Sequence, residues 1–227
     1  MPEKKLYQLI TFDVYTALFD IETSLLPAVN EMFGASIDGL TFIRAWRRKQ
    51  LELALISNSL QRPRIPFEQL THSALDDTLI RSKLETPESL RTHLTHLWLT
   101  LLPWPEAPRV LAALKTRGYS MGLLSNGDLD ALHTLAQRLP PVFEHIFSSE
   151  QAGYYKPHPG VYALPLETLH LHADEVLHVA GSATDALGTK SVGLHCAWSN
   201  RNHDPHIDPN LRADYEMSDL SELLQIL

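Results

Sequence analysis

Four places in the chain put a reactive side chain where an apolar run stops. The stretch "LITFDVYTALFD" (9–20) is apolar until it delivers an acid, Asp13, and a second acid, Asp20, follows. Ser125-Asn126-Gly127 closes the run "YSMGLLSN". Lys156 stands in "GYYKPHPG", and Ser182 and Asp185 follow the run "EVLHVAG". An aspartate can attack carbon or phosphorus, a lysine can keep it ionised, and a hydroxyl–amide pair can donate hydrogen bonds to an anion. Any one of these alone reads as a turn or cap residue, since Asp, Asn and Ser satisfy local backbone groups there. Four in succession at the ends of apolar runs read as a reaction centre.

The elements that must position them follow from the apolar pattern. Residues 6–13 read as a first strand, buried on both faces toward its end. From about 104, helix and strand alternate. A helix, "APRVLAALKTRG" (107–118), stops at a glycine suited to a C-cap. After it come the strand "YSMGLLSN", a helix around 128–138, the short strand "HIFSS" (145–149) and the lysine loop. A helix from about 160, the strand "EVLHVAG" (175–181), the helix "DALGTKSVG" and a last strand, "LHCAWS" (194–199), complete the series. Repeated βα units predict an α/β fold, a doubly wound, Rossmann-like parallel sheet with right-handed crossovers. In such sheets ligands sit outside the carboxyl ends of the strands, where the four groups fall. Pro165 is expected to kink or break its helix. "NRNHDPHIDPN" (200–210) reads as an exposed polar loop.

Residues 21–102 lack strand signals and read as helices. "TFIRAWRRKQLELALISNSL" (41–60) and "PESLRTHLTHLWLTLL" (87–102) carry apolar residues near a 3.6 period, with Trp46 and Trp98 on the apolar faces. The predicted division is a core of 1–20 and 104–227 interrupted by a helical insert, 21–103.

Composition excludes several classes. The 227 residues are 44% apolar and 20% charged with net charge −8, an acidic balance that argues against nucleic-acid or anionic-membrane partners. The basic run "RAWRRK" (44–49) is local. One cysteine, Cys196, permits no intrachain disulfide. No stretch approaches a membrane span or a signal peptide, so the expected location is cytoplasmic. The twelve histidines come without the Cys or Glu partners of a zinc motif and read as mostly solvated or structural; no metal ligands are assigned.

Asp-x-Tyr at 13–15, Ser-Asn-Gly at 125–127, Lys-Pro at 156–157 and the acid-containing loop at 180–185 together resemble the haloacid dehalogenase superfamily. Three further runs resemble its L-2-haloacid dehalogenases: "WRRKQLE" (46–52), "YKPHPGVY" (155–162) and "CAWSNR" (196–201). The resemblance implies a Rossmann-like core with an inserted helical cap domain and a hydrolase acting on carbon–halide bonds. Its substrate would be a small anion, a short (S)-2-haloalkanoic acid, and no cofactor would be needed. Asp13 would attack the halogen-bearing carbon and form an ester that water hydrolyses. Lys156 would keep Asp13 ionised, and Arg47 would lie at the halogen or the substrate carboxylate, a task suited to its forked donors. Ser125 and Asn126 would donate to that carboxylate, with Tyr15, Tyr162 and Ser182 also lining the substrate site. Asp185 would position Lys156 and the hydrolytic water. Homodimers are common among such relatives.

The chemistry of halide loss can be weighed separately. A phosphatase of this superfamily uses a second aspartate two residues after the nucleophile to protonate its leaving group. It also uses Mg²⁺, held partly by acids of the fourth motif. Here those positions are Tyr15 and Ala180. Halide leaves without a proton, and a monoanionic carboxylate needs no divalent ion. Magnesium therefore belongs only to the alternative reading, a phosphatase on a small metabolite. Other positions depart from the dehalogenase pattern. Thr16-Ala17 replaces Gly-Thr, Ala180 replaces serine, Ser182 replaces asparagine and Thr184 replaces tryptophan. These changes keep open a third reading, a catalytically impaired relative acting as a binding protein.

Overall fold

The computed structural model of the chain describes residues 5–60 and 62–227. Two compact units are present. One runs to Phe19 and resumes at Pro103; the other is Asp20–Leu102.

The chain opens with β1 (Leu9–Phe12), whose four side chains are all buried, and the short β2 (Phe19–Asp20). The second unit follows as α1 (Ile21–Phe33), α2 (Gly39–Ser59), α3 (Phe67–Arg81) and α4 (Glu88–His96). Asp20 caps α1 by accepting from Thr23 N at 3.0 Å, and Asp38 caps α2 by accepting from Leu40 N at 3.0 Å. Each carboxylate satisfies an N–H that the first helical turn leaves unpaired. The apolar faces of α2 and α3 meet: Trp46 is fully buried, donates to Thr71 O at 2.8 Å, and lies edge-on to Trp98 with ring centroids 5.4 Å apart.

The chain returns through β3 (Leu102–Pro103), paired with β2 in a two-stranded sheet. Next come α5 (Ala107–Thr116), β4 (Ser120–Ser125), α6 (Leu129–Ala136), β5 (His145–Ser148), α7 (Ser149–Ala152) and α8 (Pro159–Leu169). The series ends with β6 (Val176–Ala180), α9 (Ala183–Ser191), β7 (His195–Ser199), β8 (Tyr215–Met217) and α10 (Leu223–Ile226). Six strands form one sheet in the order β5-β4-β1-β6-β7-β8, all parallel. β1 therefore lies between β4 and β6, where the winding reverses, and the carboxyl ends of these three strands border one crevice.

Three local expectations are corrected. β7 is not the last strand: β8 pairs with it beyond the polar loop, and three residues on a sheet edge are too short to display a period. Pro165 does not break α8, which continues to Leu169. Val161, Tyr162 and Pro165 are all buried, and that packing carries the helix past the missing N–H. The pair β2 and β3, two residues each, gives no sequence signal of its own.

Candidate active site

Asp13 follows β1 directly, its N–H extending the ladder to Val179 O at 2.9 Å, and it is 7% exposed. Its two carboxylate oxygens have different neighbours. Oδ1 accepts from Ser125 Oγ at 3.2 Å, at the end of β4, and lies 3.6 Å from Lys156 Nζ. Oδ2 accepts from the N–H of Thr16 at 3.3 Å and from its hydroxyl at 3.2 Å.

Lys156 is buried in the loop before α8, and its peptide bond to Pro157 is cis. Its N–H donates to Asn126 Oδ1 at 2.7 Å, so the amide of the Ser-Asn-Gly turn fixes the lysine's backbone. The ammonium reaches Asp185 Oδ1 at 3.0 Å and His178 Nε2 at 3.0 Å in addition to Asp13. A single buried cation thus stands between two buried carboxylates.

Asp185 enters from α9, whose first turn is capped by Ser182, the serine hydroxyl accepting from Asp185 N at 3.2 Å. Tyr162 of α8 donates to Asp185 Oδ1 at 2.9 Å, and His178 Nε2 lies 3.1 Å from Oδ2. Burial alone would raise the Asp185 carboxyl, but the charge of Lys156 and the contact with His178 outweigh it. They hold the carboxyl well below the usual carboxylate range. Burial, followed by the negative charge of Asp185, pushes the Tyr162 hydroxyl well above its ordinary value, so it remains a donor.

His178 escaped the reading of the sequence. It is fully buried in β6, opposite Thr11 of β1 in register, and its Nδ1 lies 2.9 Å from Thr11 Oγ1. Burial holds the imidazole below its ordinary pKa, Lys156 adding to the effect and Asp185 opposing it. The ring is therefore neutral at pH 7. It can accept from Lys156 while donating to Thr11, or donate to Asp185 in the other tautomer. The available signal was one imidazole inside the apolar strand "VLHVA".

Two glycines allow close approach. Tyr15 is buried with its hydroxyl against Gly127, where a Cβ would stand 2.6 Å from that oxygen. A Cβ on Gly181 would collide with the Thr16 hydroxyl and stand 2.6 Å from Ala17 N and 2.8 Å from Asp13 Oδ2.

Asp13, Tyr15, Ser125, Asn126, Lys156, Tyr162, Ser182 and Asp185 all belong to the sheet-bearing unit. Arg47 belongs to the helical one. It lies on α2, half-buried, donates to Gln50 Oε1, and carries its guanidinium 5.7 Å from the Trp98 ring centroid.

This arrangement presents a buried carboxylate oxygen beside a fixed cation and hydroxyl donors at a topological switch point, the equipment for nucleophilic attack and hydrolysis of a covalent intermediate. A family model described as haloacid dehalogenase-like hydrolase matches residues 7–193, and the chain belongs to that family. It is 33% identical over 199 residues to haloacetate dehalogenase H-2 of Moraxella sp. (strain B), covering 87% of each chain. It is 31% identical over 222 residues to an (S)-2-haloacid dehalogenase of Pseudomonas sp. (strain YL), covering 96% of this chain and 93% of that one. Among solved structures it matches the L-2-haloacid dehalogenase of Xanthobacter autotrophicus with chloropropionic acid covalently bound. There the TM-score is 0.84 at 26% identity, over 97% of this chain and 98% of that one.

The magnesium of the phosphatase alternative does not fit these residues. The Lys156 ammonium already stands between Asp13 and Asp185. The Ala180 side chain supplies no oxygen, and Tyr162 and His178 further occupy Asp185. Among the described residues no group of three or more His, Cys, Asp or Glu side chains could hold a metal ion. None of the described helices is long and apolar enough to cross a membrane.

Proposed function

We propose that the protein hydrolyses the carbon–halogen bond of short (S)-2-haloalkanoic acids by a metal-independent, two-step route through an ester of Asp13. An Asp13 oxygen attacks C2 from the face opposite the halogen, and the halide departs with the bonding electron pair. Water then adds to the Asp13 carboxyl carbon, the ester bond breaks, and a 2-hydroxy acid of inverted configuration leaves. Lys156 sets a positive charge beside Asp13 and the anionic substrate. Ser125 and Asn126 donate to the substrate carboxylate, Tyr15 and Tyr162 wall the site, and Asp185, with Ser182 beside it, orients Lys156 and the water. Arg47 is assigned to the halogen or substrate carboxylate on its motif alone. A cytoplasmic location completes the proposal.

The observation that carries it is the Lys156 ammonium between Asp13 and Asp185, which sets a fixed positive charge against the nucleophile. Two results are expected: chloride release from 2-chloropropionate with EDTA present, and its abolition in Asp13→Asn. A single turnover in ¹⁸O-water should place label in the peptide carrying Asp13. Turnover of p-nitrophenyl phosphate that requires Mg²⁺, with no chloride release, would overturn the proposal.

A further inference from the structure

The two oxygens of Asp13 are not equivalent. Oδ1 lies 3.6 Å from Lys156 Nζ and 3.2 Å from Ser125 Oγ. Oδ2 faces the wall formed by Thr16 and Gly181. It accepts from Thr16 N at 3.3 Å and Thr16 Oγ1 at 3.2 Å, and a single added Cβ on Gly181 would already stand 2.8 Å from it and 2.6 Å from Ala17 N. The space between Gly181 and Oδ2 does not admit even a methyl group.

The loop that forms this wall is held from both sides. Leu18 and Phe19 donate back to Val14 O at 3.2 Å each. Thr16 O accepts from the Trp104 indole at 3.0 Å, and that indole is stacked with the Arg201 guanidinium at 4.0 Å. Where the dehalogenase pattern places glycine and then threonine, this chain places Thr16 and then Ala17. Its hydroxyl is thus supplied one residue earlier, and Gly181 leaves the volume that hydroxyl occupies.

We propose that Asp13 is alkylated through Oδ1, that Oδ2 becomes the ester carbonyl oxygen, and that Thr16 is a catalytic residue of the hydrolytic half-reaction. Its hydroxyl and N–H stabilise the negative charge that gathers on Oδ2 as water adds. In that step the water oxygen bonds to the Asp13 carboxyl carbon and the carbonyl pair moves onto Oδ2. When the pair returns, the bond from the carboxyl carbon to Oδ1 breaks. One water proton goes to the departing alkoxide oxygen and the other to solvent, which restores the carboxylate. This assignment rests on the aspartyl-ester reading above.

Thr16→Val keeps the side-chain shape and loses the hydroxyl; Thr16→Ser keeps the hydroxyl. With 2-chloropropionate, Thr16→Val should release one equivalent of chloride in a burst at close to the wild-type rate. It should then turn over about 100-fold more slowly, the order expected for one lost oxyanion donor. Intact-protein mass spectrometry should show the ester accumulating on the Asp13 peptide, and Thr16→Ser should remain within a few fold of wild type. Thr16→Ala, which adds no bulk, should show the same burst if Thr16→Val fails to fold. A Thr16→Val or Thr16→Ala enzyme with unchanged turnover, or one slowed without accumulated ester, would overturn the role of Thr16. Wild-type enzyme that incorporates no ¹⁸O into Asp13 would overturn the ester reading itself.

Discussion

Lys156 is the residue on which the charge balance of the site turns. Its ammonium contacts two carboxylates and a neutral imidazole within 3.6 Å. Lys156→Met would leave Asp13 and Asp185 facing one another, both buried, with no counter-charge. Breaking a buried pair from one side costs about 3–5 kcal/mol. Urea unfolding should show a loss of that order, and chloride release should fall below detection. Lys156→Arg should not restore activity, because a planar fork cannot replace a compact ammonium ringed by three partners. At this scale the sequence was informative for side chains standing where an apolar run stops. Asp13 and Ser125 announce themselves because each ends a buried strand, whereas Lys156, in the loop before α8, and Asp185, in α9, were legible through their order along the chain. His178 was not. It lies inside a strand, and its relevance depends on register with Thr11 and on a lysine 22 positions away, neither of which a local pattern encodes.

Among the elements, α9 and the turn before it deliver both Asp185 and the wall behind Asp13. Ser182→Ala removes the cap and should cost about 1 kcal/mol. Turnover should fall further than that loss of stability predicts, because the capped N–H is that of Asp185. Gly181→Ala is the harsher change. The added carbon meets backbone at Ala17 N as well as Asp13 Oδ2, so no side-chain rotation relieves it. Overpacking of this kind costs about 1–3 kcal/mol. Chemical denaturation should register it, and steady-state chloride release should collapse with it. The alternating βα rhythm made these elements legible, since each strand is a short apolar run and each helix is capped or bounded by glycine or proline. What remained hidden was short or held by tertiary packing: β8 has three residues, and α8 runs through Pro165 because a buried face carries it.

For the molecule as a whole, the buried network links folding to pH. The native pKa of His178 lies below its ordinary value of about 6.5, so as pH falls below that value the unfolded chain takes up a proton the folded one does not. Stability from this group is complete above about pH 6.5 and is lost as pH falls. The Asp185 carboxyl, also depressed, withdraws its contribution in a second phase below about pH 3.9, as pH falls toward its native value. The melting temperatures of wild type and His178→Asn, compared between pH 7.5 and 5, should converge as pH falls. A constant difference would show that the imidazole does not stay neutral in the native state. The acidic balance of charge was open to inspection from the sequence. The role of Arg47 came from motif resemblance alone, since no periodicity on its own helix says which partner a guanidinium will meet.

The contact between Thr16 and Gly181 also ties the two positions together. A chain with any larger residue at 181 has no room for a hydroxyl at 16, whereas a chain with glycine at 181 tolerates either state at 16. A side chain at 181 would evict the hydroxyl at 16 from its place beside the nucleophile.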